Sequence, residues 1–138
     1  MAAPETAFSD RYRLEGKPIG EGGMGLVYRA YDIVTRRYVA LKTMRGPLNP
    51  AALELFTREW SLLAQISHPN IVDVLDTGEF EQDGERRPFF VKPFLPGCTL
   101  EQLLQGSTPR LTPERVVGII AQTRRGLQAA YEVPSKSS

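Results

Sequence analysis

The sequence predicts an α+β fold: a five-stranded antiparallel sheet with one packed helix, followed by two further helices. Three observations predict it. Short runs rich in aromatic and β-branched residues follow one another near the start, separated by Gly-rich and Asp/Thr-rich turns. A segment opening Asn49-Pro50 then spaces its apolar residues as a helix does. Two more strand-like runs precede two more helix starts.

In chain order, residues 1–11 read as a loose tail. Tyr12-Arg13-Leu14, Leu26 to Tyr31 and Tyr38 to Lys42 are the first three strands. Asn49 caps a helix that has proline at its first position and runs to about Ile66, where His68-Pro69-Asn70 closes it. Ile71 to Asp76 and Phe89 to Lys92 are two more strands, joined by the polar turn Glu81-Gln82-Asp83-Gly84-Glu85. After Pro96-Gly97 comes a short helix, Leu100 to Gln105, and then the loop Gly106-Ser107-Thr108-Pro109. Thr112-Pro113-Glu114 opens a last helix to about Tyr131, and residues 132–138 are a second tail.

At 138 residues the chain has the length of one domain. A formal net charge of +1 argues against bulk binding to nucleic acid or anionic membrane. Arg29, Arg36, Arg37, Lys42 and Arg45 cluster, but they alternate with Val39 and Leu41 and read as a solvated strand edge. The single cysteine, Cys98, excludes an internal disulfide and suits a reducing compartment. The start MAAPETAFSDR has no signal-peptide pattern, and no apolar run reaches the roughly 18 residues that span a bilayer. The expected location is cytoplasmic.

The motif that carries chemistry is Gly20-Glu21-Gly22-Gly23-Met24-Gly25-Leu26-Val27, a G-x-G-x-x-G-x-V pattern. Alone it is weak, since a plain hairpin turn also takes glycines. A dinucleotide fold needs a helix after the last glycine, and here a strand follows. A P-loop needs Gly-Lys-Ser/Thr, and here Gly25-Leu26 stands. A glycine hairpin lying over phosphates is what remains. Lys42 ends the third strand, and a lysine there is by itself only a solvated charge. On the following helix, Leu55, Leu62 and Ile66 define an apolar face with Glu59 inside it. A carboxylate so placed needs a cation, since breaking a buried pair costs roughly 3–5 kcal/mol, and Lys42 is the available partner.

Glycine hairpin, strand lysine and helix glutamate, in that order, resemble the N-terminal part of protein kinases. The stretches YRLEGKPIGEGGMGLVYRAYD, RYVALKTM, FTREWSLLAQISHPNIVDVLDTG and PFFVKPFLPGCTLEQLL are similar to bacterial eukaryotic-like serine/threonine protein kinases over about residues 12–130. The resemblance implies a kinase N-lobe over 12–97 and the start of the second lobe over 98–131. It implies that ATP binds, with Mg2+ arriving only with the nucleotide. Ile19, Gly20, Glu21, Gly22, Gly23, Met24 and Gly25 would form the phosphate-covering loop. Val27 and Ala40 would sandwich the adenine. Lys42 would bind the α- and β-phosphates and pair with Glu59, and the Pro93 carbonyl and Leu95 amide would read the base edge. His68, in the HPN turn, would be structural, and Cys98 would sit near the lip of the pocket without a catalytic role.

Lys92 departs from the family, standing where a Met, Leu, Thr or Phe deep in the adenine pocket is usual. Its amine can turn outward along the stem, crowd the pocket or compete for Glu59. The larger departure is that H-R-D, D-F-G and A-P-E occur nowhere in these residues. The expected function is therefore the ATP-binding portion of a serine/threonine kinase, inactive as this 138-residue chain, which would be truncated by a gene break, frameshift or other boundary. The alternative is a non-catalytic nucleotide-binding or regulatory module. On the last helix, Val116, Ile120, Thr123 and Leu127 form a mainly apolar stripe that predicts a protein partner or self-association.

Overall fold

The computed structural model describes residues 6–22, 25–106 and 111–133. Gly23 and Met24 of the glycine motif, residues 107–110 of the late loop and most of the second tail lie outside the described residues. The elements in order are β1 (Thr6–Ala7), β2 (Tyr12–Leu14), β3 (Gly20–Gly22), β4 (Gly25–Asp32), β5 (Arg37–Met44), α1 (Pro50–Ala64), β6 (Asp76–Gln82), β7 (Glu85–Pro93), α2 (Leu100–Gln105) and α3 (Pro113–Tyr131). The strands form one antiparallel sheet in the order β1-β2-β4-β5-β7-β6, with β3 also on β4.

β2 and β3 pair with different parts of β4, Leu14 opposite Ala30 and Gly20 opposite Val27. β5 occupies the other edge of β4 along its whole length, so β2 and β3 lie on the same side. Together they are the first of the five predicted strands, interrupted at residues 15–19. Within the stretch expected to be a loose tail, β1 pairs with β2, and the Phe8 ring meets Phe80 at 4.0 Å and Phe89 at 5.1 Å between centroids.

The predicted strand Ile71–Asp76 is corrected: the strand starts at Asp76 and runs to Gln82. Asp83 and Gly84 both have positive φ, 53° and 79°, the geometry of a tight two-residue hairpin. Glu79 and Glu81 point outward and Phe80 inward, so a charged edge strand replaces the expected long polar turn. Val74, just before it, packs instead under α1.

Asn49 caps α1 by accepting from the Ala52 amide at 2.8 Å, and Thr99 and Gln102 form a reciprocal capping box on α2. Thr112 caps α3 in the same way as Asn49 caps α1, with proline following. One core lies on one face of the sheet, made by Tyr12, Ala30, Val39, Leu41, Phe89 and Val91. The second joins sheet to helix through Met44, Ala52, Phe56 and Phe90, where burying a ring such as Phe90 contributes about 2 kcal/mol. Gly126 lets α3 approach the HPN segment, since a Cβ there would stand 3.2 Å from the Asn70 carbonyl oxygen.

Candidate functional site

Strand register assembles most of the site. Val27 stands opposite Lys42 and Lys42 opposite Phe90, while Ala40 stands opposite Lys92. Residues opposite one another across a ladder share a face, so these five side chains belong to the side of the sheet that α1 covers. Gly20 pairs with Val27 across the hairpin at the rim of that face.

Lys42 Nζ donates to Glu59 Oε1 at 2.7 Å, so the predicted strand–helix pair exists. Its setting differs from expectation in two ways. The Glu59 side chain is 43% exposed and that of Lys42 21% exposed, so the pair is not deeply buried. A pair this open contributes about 1 kcal/mol or less, not the larger cost expected of a buried one. The helix face is also corrected. Leu55 and Leu62 are exposed, and α1 buries Ala52 and Phe56, flanked by Leu53, Trp60 and Leu63. Phe56 meets the Phe90 ring at 5.3 Å, and this aromatic contact turns the Ala52/Phe56/Leu63 stripe inward. Glu59 lies three residues past Phe56 and four before Leu63, at the border of the buried stripe and within reach of β5.

Around this pair the other candidate residues take distinct positions. The Ile19 amide donates to the Val27 carbonyl at 2.7 Å, extending the glycine hairpin by one bond. Glu21 turns to Arg45, whose Nη1 lies 3.4 Å from Glu21 Oε2 and ties the hairpin to the end of β5. A Cβ added at Gly20 would meet the Val27 Cβ at 3.7 Å, an ordinary contact, so nothing in the protein itself forbids a side chain there. Ala40 is buried in the sheet. Pro93 ends β7 opposite Val39. Leu95 is exposed and, with Ile19, Phe94 and Cys98, lines a cleft of about 460 Å³. Pro93 and Leu95 also border a second cleft of about 450 Å³, reaching Asn70, Ile71 and Gln122. His68 Nδ1 accepts from the Asn70 amide at 3.0 Å and closes its own turn, a structural role.

Lys92 is half-buried on the cleft face, and its Nζ lies 6.0 Å from the centroid of the Phe90 ring. Lys42 Nζ lies 5.8 Å from the same ring. Burial pushes the Lys92 ammonium below the ordinary lysine range, the charge of Lys42 pushes the same way, and Glu59 opposes both. Among the described residues the Lys92 side chain makes no hydrogen bond or ion pair.

A pattern describing the protein kinase domain matches residues 13–133. This chain belongs to the protein kinase family. Among its curated relatives, serine/threonine-protein kinase PknB of Mycobacterium tuberculosis is 36% identical over 126 residues, covering 90% of this chain and 20% of PknB. Serine/threonine-protein kinase PksC of Streptomyces coelicolor is 37% identical over 131 residues, covering 89% of this chain and 23% of PksC. The chain thus spans about a fifth of the length of these bacterial serine/threonine kinases. The solved structure of the PpkA-294 apo form superimposes with a TM-score of 0.62 at 28% identity, over 77% of this chain and 43% of that one. A kinase N-lobe sheet with its helix, followed by early second-lobe helices, is therefore the fold of this chain.

The pairing of Arg45 with Glu21 has no signal in the sequence, because it depends on how the hairpin folds over β5. Among the described residues no helix is long and apolar enough to cross a membrane, and no three metal-ligating side chains cluster.

Proposed function

We propose that this chain binds ATP beneath the β3–β4 glycine hairpin, as the nucleotide-binding half of a serine/threonine protein kinase. The observation that carries the reading is the 2.7 Å Lys42–Glu59 pair, set one strand away from the hairpin on a shared sheet face. Lys42 then holds the α- and β-phosphates while Glu59 keeps its amine extended. The tolerant surroundings of Gly20, where a Cβ would make only an ordinary contact with Val27, support the same reading: a glycine that its own protein does not require is explained by a ligand that approaches the backbone. Val27 and Ala40 cover the base, and the Pro93 carbonyl and Leu95 amide bind its edge. Any Mg2+ is held by the nucleotide's phosphates. In the family the bound ATP supplies the phosphoryl group for a serine or threonine hydroxyl. These 138 residues contain no H-R-D or D-F-G, so binding proceeds without transfer.

Thermal unfolding of the purified chain with and without MgATP tests this. ATP at 100 times its Kd should add about 2.7 kcal/mol of stability, and Lys42→Ala should abolish the gain. No shift at millimolar ATP overturns the reading. Phosphate incorporation into a protein substrate, lost in Lys42→Ala, overturns the part that excludes transfer and with it the alternative of a non-catalytic module.

The α3 stripe supports a second contact. Val116, Ile120 and Leu127 are exposed, at 37%, 63% and 66%. We infer that this stripe is covered by protein, either a partner or a second copy. Sedimentation should show self-association that Ile120→Glu with Leu127→Glu removes. A concentration-independent monomer excludes the second copy.

A further inference from the structure

The two ends of the strand order, β1–β2 and β6, share no ladder among the described residues, yet side chains bring them together. The Phe8 ring meets Phe80 at 4.0 Å, and Tyr12 and Arg11 both reach the Asp76 carboxylate. The sheet is therefore curled around the core that contains Tyr12, Leu41 and Phe89, on the face away from Lys42. Toward the glycine hairpin that core stops short. A cavity of about 250 Å³ remains there, walled by Phe8, Leu14, Leu26 and Phe80, with Tyr28 and Thr43. Leu26 stands opposite both Glu21 of the hairpin and Thr43 of β5, so the cavity lies behind the hairpin. The mouth of a barrel-like sheet is a preferred place for small ligands.

Size and lining select the guest. An apolar cavity of about 150 Å³ takes one benzene ring, so one of about 250 Å³ has room for two fused rings. Phe8, Phe80 and Tyr28 favour an aromatic guest through edge and face contacts. Thr43 is buried, and its hydroxyl already donates to the Pro88 carbonyl at 3.2 Å, so its oxygen is left only to accept. Among the described residues that line the cavity, Glu81 alone is charged at neutral pH, and it repels an anion.

We propose that this cavity is a binding site for a small uncharged fused-ring heteroaromatic, whose ring N–H is donated to Thr43. The site does not depend on nucleotide binding, because Val27, Ala40 and Lys42 occupy the opposite face of the sheet.

Indole is the probe, with two fused rings, no charge and one N–H. Titrated into the full 138-residue chain, it should give saturable amide chemical shifts at Leu14, Leu26 and Phe80, half-complete at about 1 mM or below. Shifts centred on Ala40 and Leu95 place the guest on the other side and overturn the proposal. So does the absence of saturable shifts up to about 10 mM. Leu26→Trp, which fills the cavity from within, should abolish the response, and wild-type affinity in that folded variant overturns the site. Thr43→Val keeps the shape and removes the acceptor. It should weaken binding about fivefold, and it serves if Leu26→Trp fails to fold. A loss of less than about twofold overturns the part given to Thr43.

Discussion

Two ion-pair clusters hold this lobe together, and they are built in opposite ways. Beside the glycine hairpin, Lys42 gives Glu59 one hydrogen bond, and both side chains remain partly open to water. At the far end of β4, Asp32 receives two hydrogen bonds from Arg11, from Nε and Nη2, both at 2.9 Å. It also accepts from the Thr35 hydroxyl at 2.7 Å and the Val34 amide at 3.0 Å, and its side chain is 3% exposed. Beside it, Tyr12 donates its hydroxyl to Asp76 at 2.6 Å. A carboxylate saturated by fixed donors sets shape and has nothing left to offer a ligand. A carboxylate with one bond to a long, mobile amine can hold that amine ready for another anion.

The largest effect should come from breaking the saturated cluster. Asp32→Asn replaces acceptors with an amide that turns donors toward Arg11, and should cost about 3 kcal/mol in urea unfolding. Its pH dependence follows from the hydrogen bonds of Arg11, which hold the Asp32 carboxyl well below the usual carboxylate range, with Thr35 and Val34 adding to the effect against the opposing pull of burial. A folded-state pKa below the unfolded value makes this stability complete above about pH 3.9 and lost as pH falls through the folded value. The difference between wild type and Asp32→Asn should therefore shrink on acidification. A constant difference from about pH 7 down to about pH 2.5 would show that the charge of Asp32 does not carry the cluster's stability.

The same end of the sheet supplies the next effect. A Cβ on Gly78 would stand 2.7 Å from Cζ of Phe89, whose ring meets Tyr12 edge-on at 5.8 Å. Gly78→Ala must displace that ring, and should cost about 2 kcal/mol. Gly20→Ala is the matched change near the cleft, with no such clash, and should leave stability within about 0.5 kcal/mol of wild type. Equal losses at the two glycines would erase the contrast between a packed corner and an open rim.

These two regions also differ in how far the sequence discloses them. Lys42 and Glu59 are legible because a carboxylate bordering an apolar helix face demands a cation, and the glycine hairpin nearby suggests which one. Which face α1 buries is not legible. Leu55/Leu62/Ile66 and Ala52/Phe56/Leu63 both fit helical spacing, and only contact with Phe90 and Met44 chooses between them. Glu59 lies near both stripes, so either face leads to the same pair with Lys42. The Asp32 cluster leaves no local trace, since Tyr12 and Asp76 are 64 residues apart and Arg11 and Asp32 are 21 apart. The sequence pattern sets β6 too early, toward Ile71, because the outward glutamates of the strand imitate a polar turn, whereas edge strands carry such charges routinely. Lys92 is conspicuous as a residue type, but its amine's place 6.0 Å from the Phe90 ring centroid is set by the fold and leaves no trace in the sequence.

A change with little expected effect on stability is the one that most sharpens the comparison. Glu59→Gln keeps the length of the side chain and an oxygen that can still accept from Lys42. Because the pair is partly exposed, the loss of its charge should cost less than about 1 kcal/mol in the absence of nucleotide. With MgATP the outcome should differ, because an amine no longer held by a charge samples positions away from the phosphates. The ATP-induced rise in melting temperature should fall well below that of the wild type, while Asp32→Asn, although far less stable, should keep its full rise. The opposite pattern, with Glu59→Gln as destabilising as Asp32→Asn and an unchanged response to ATP, would make the Lys42–Glu59 pair a structural strut like the other.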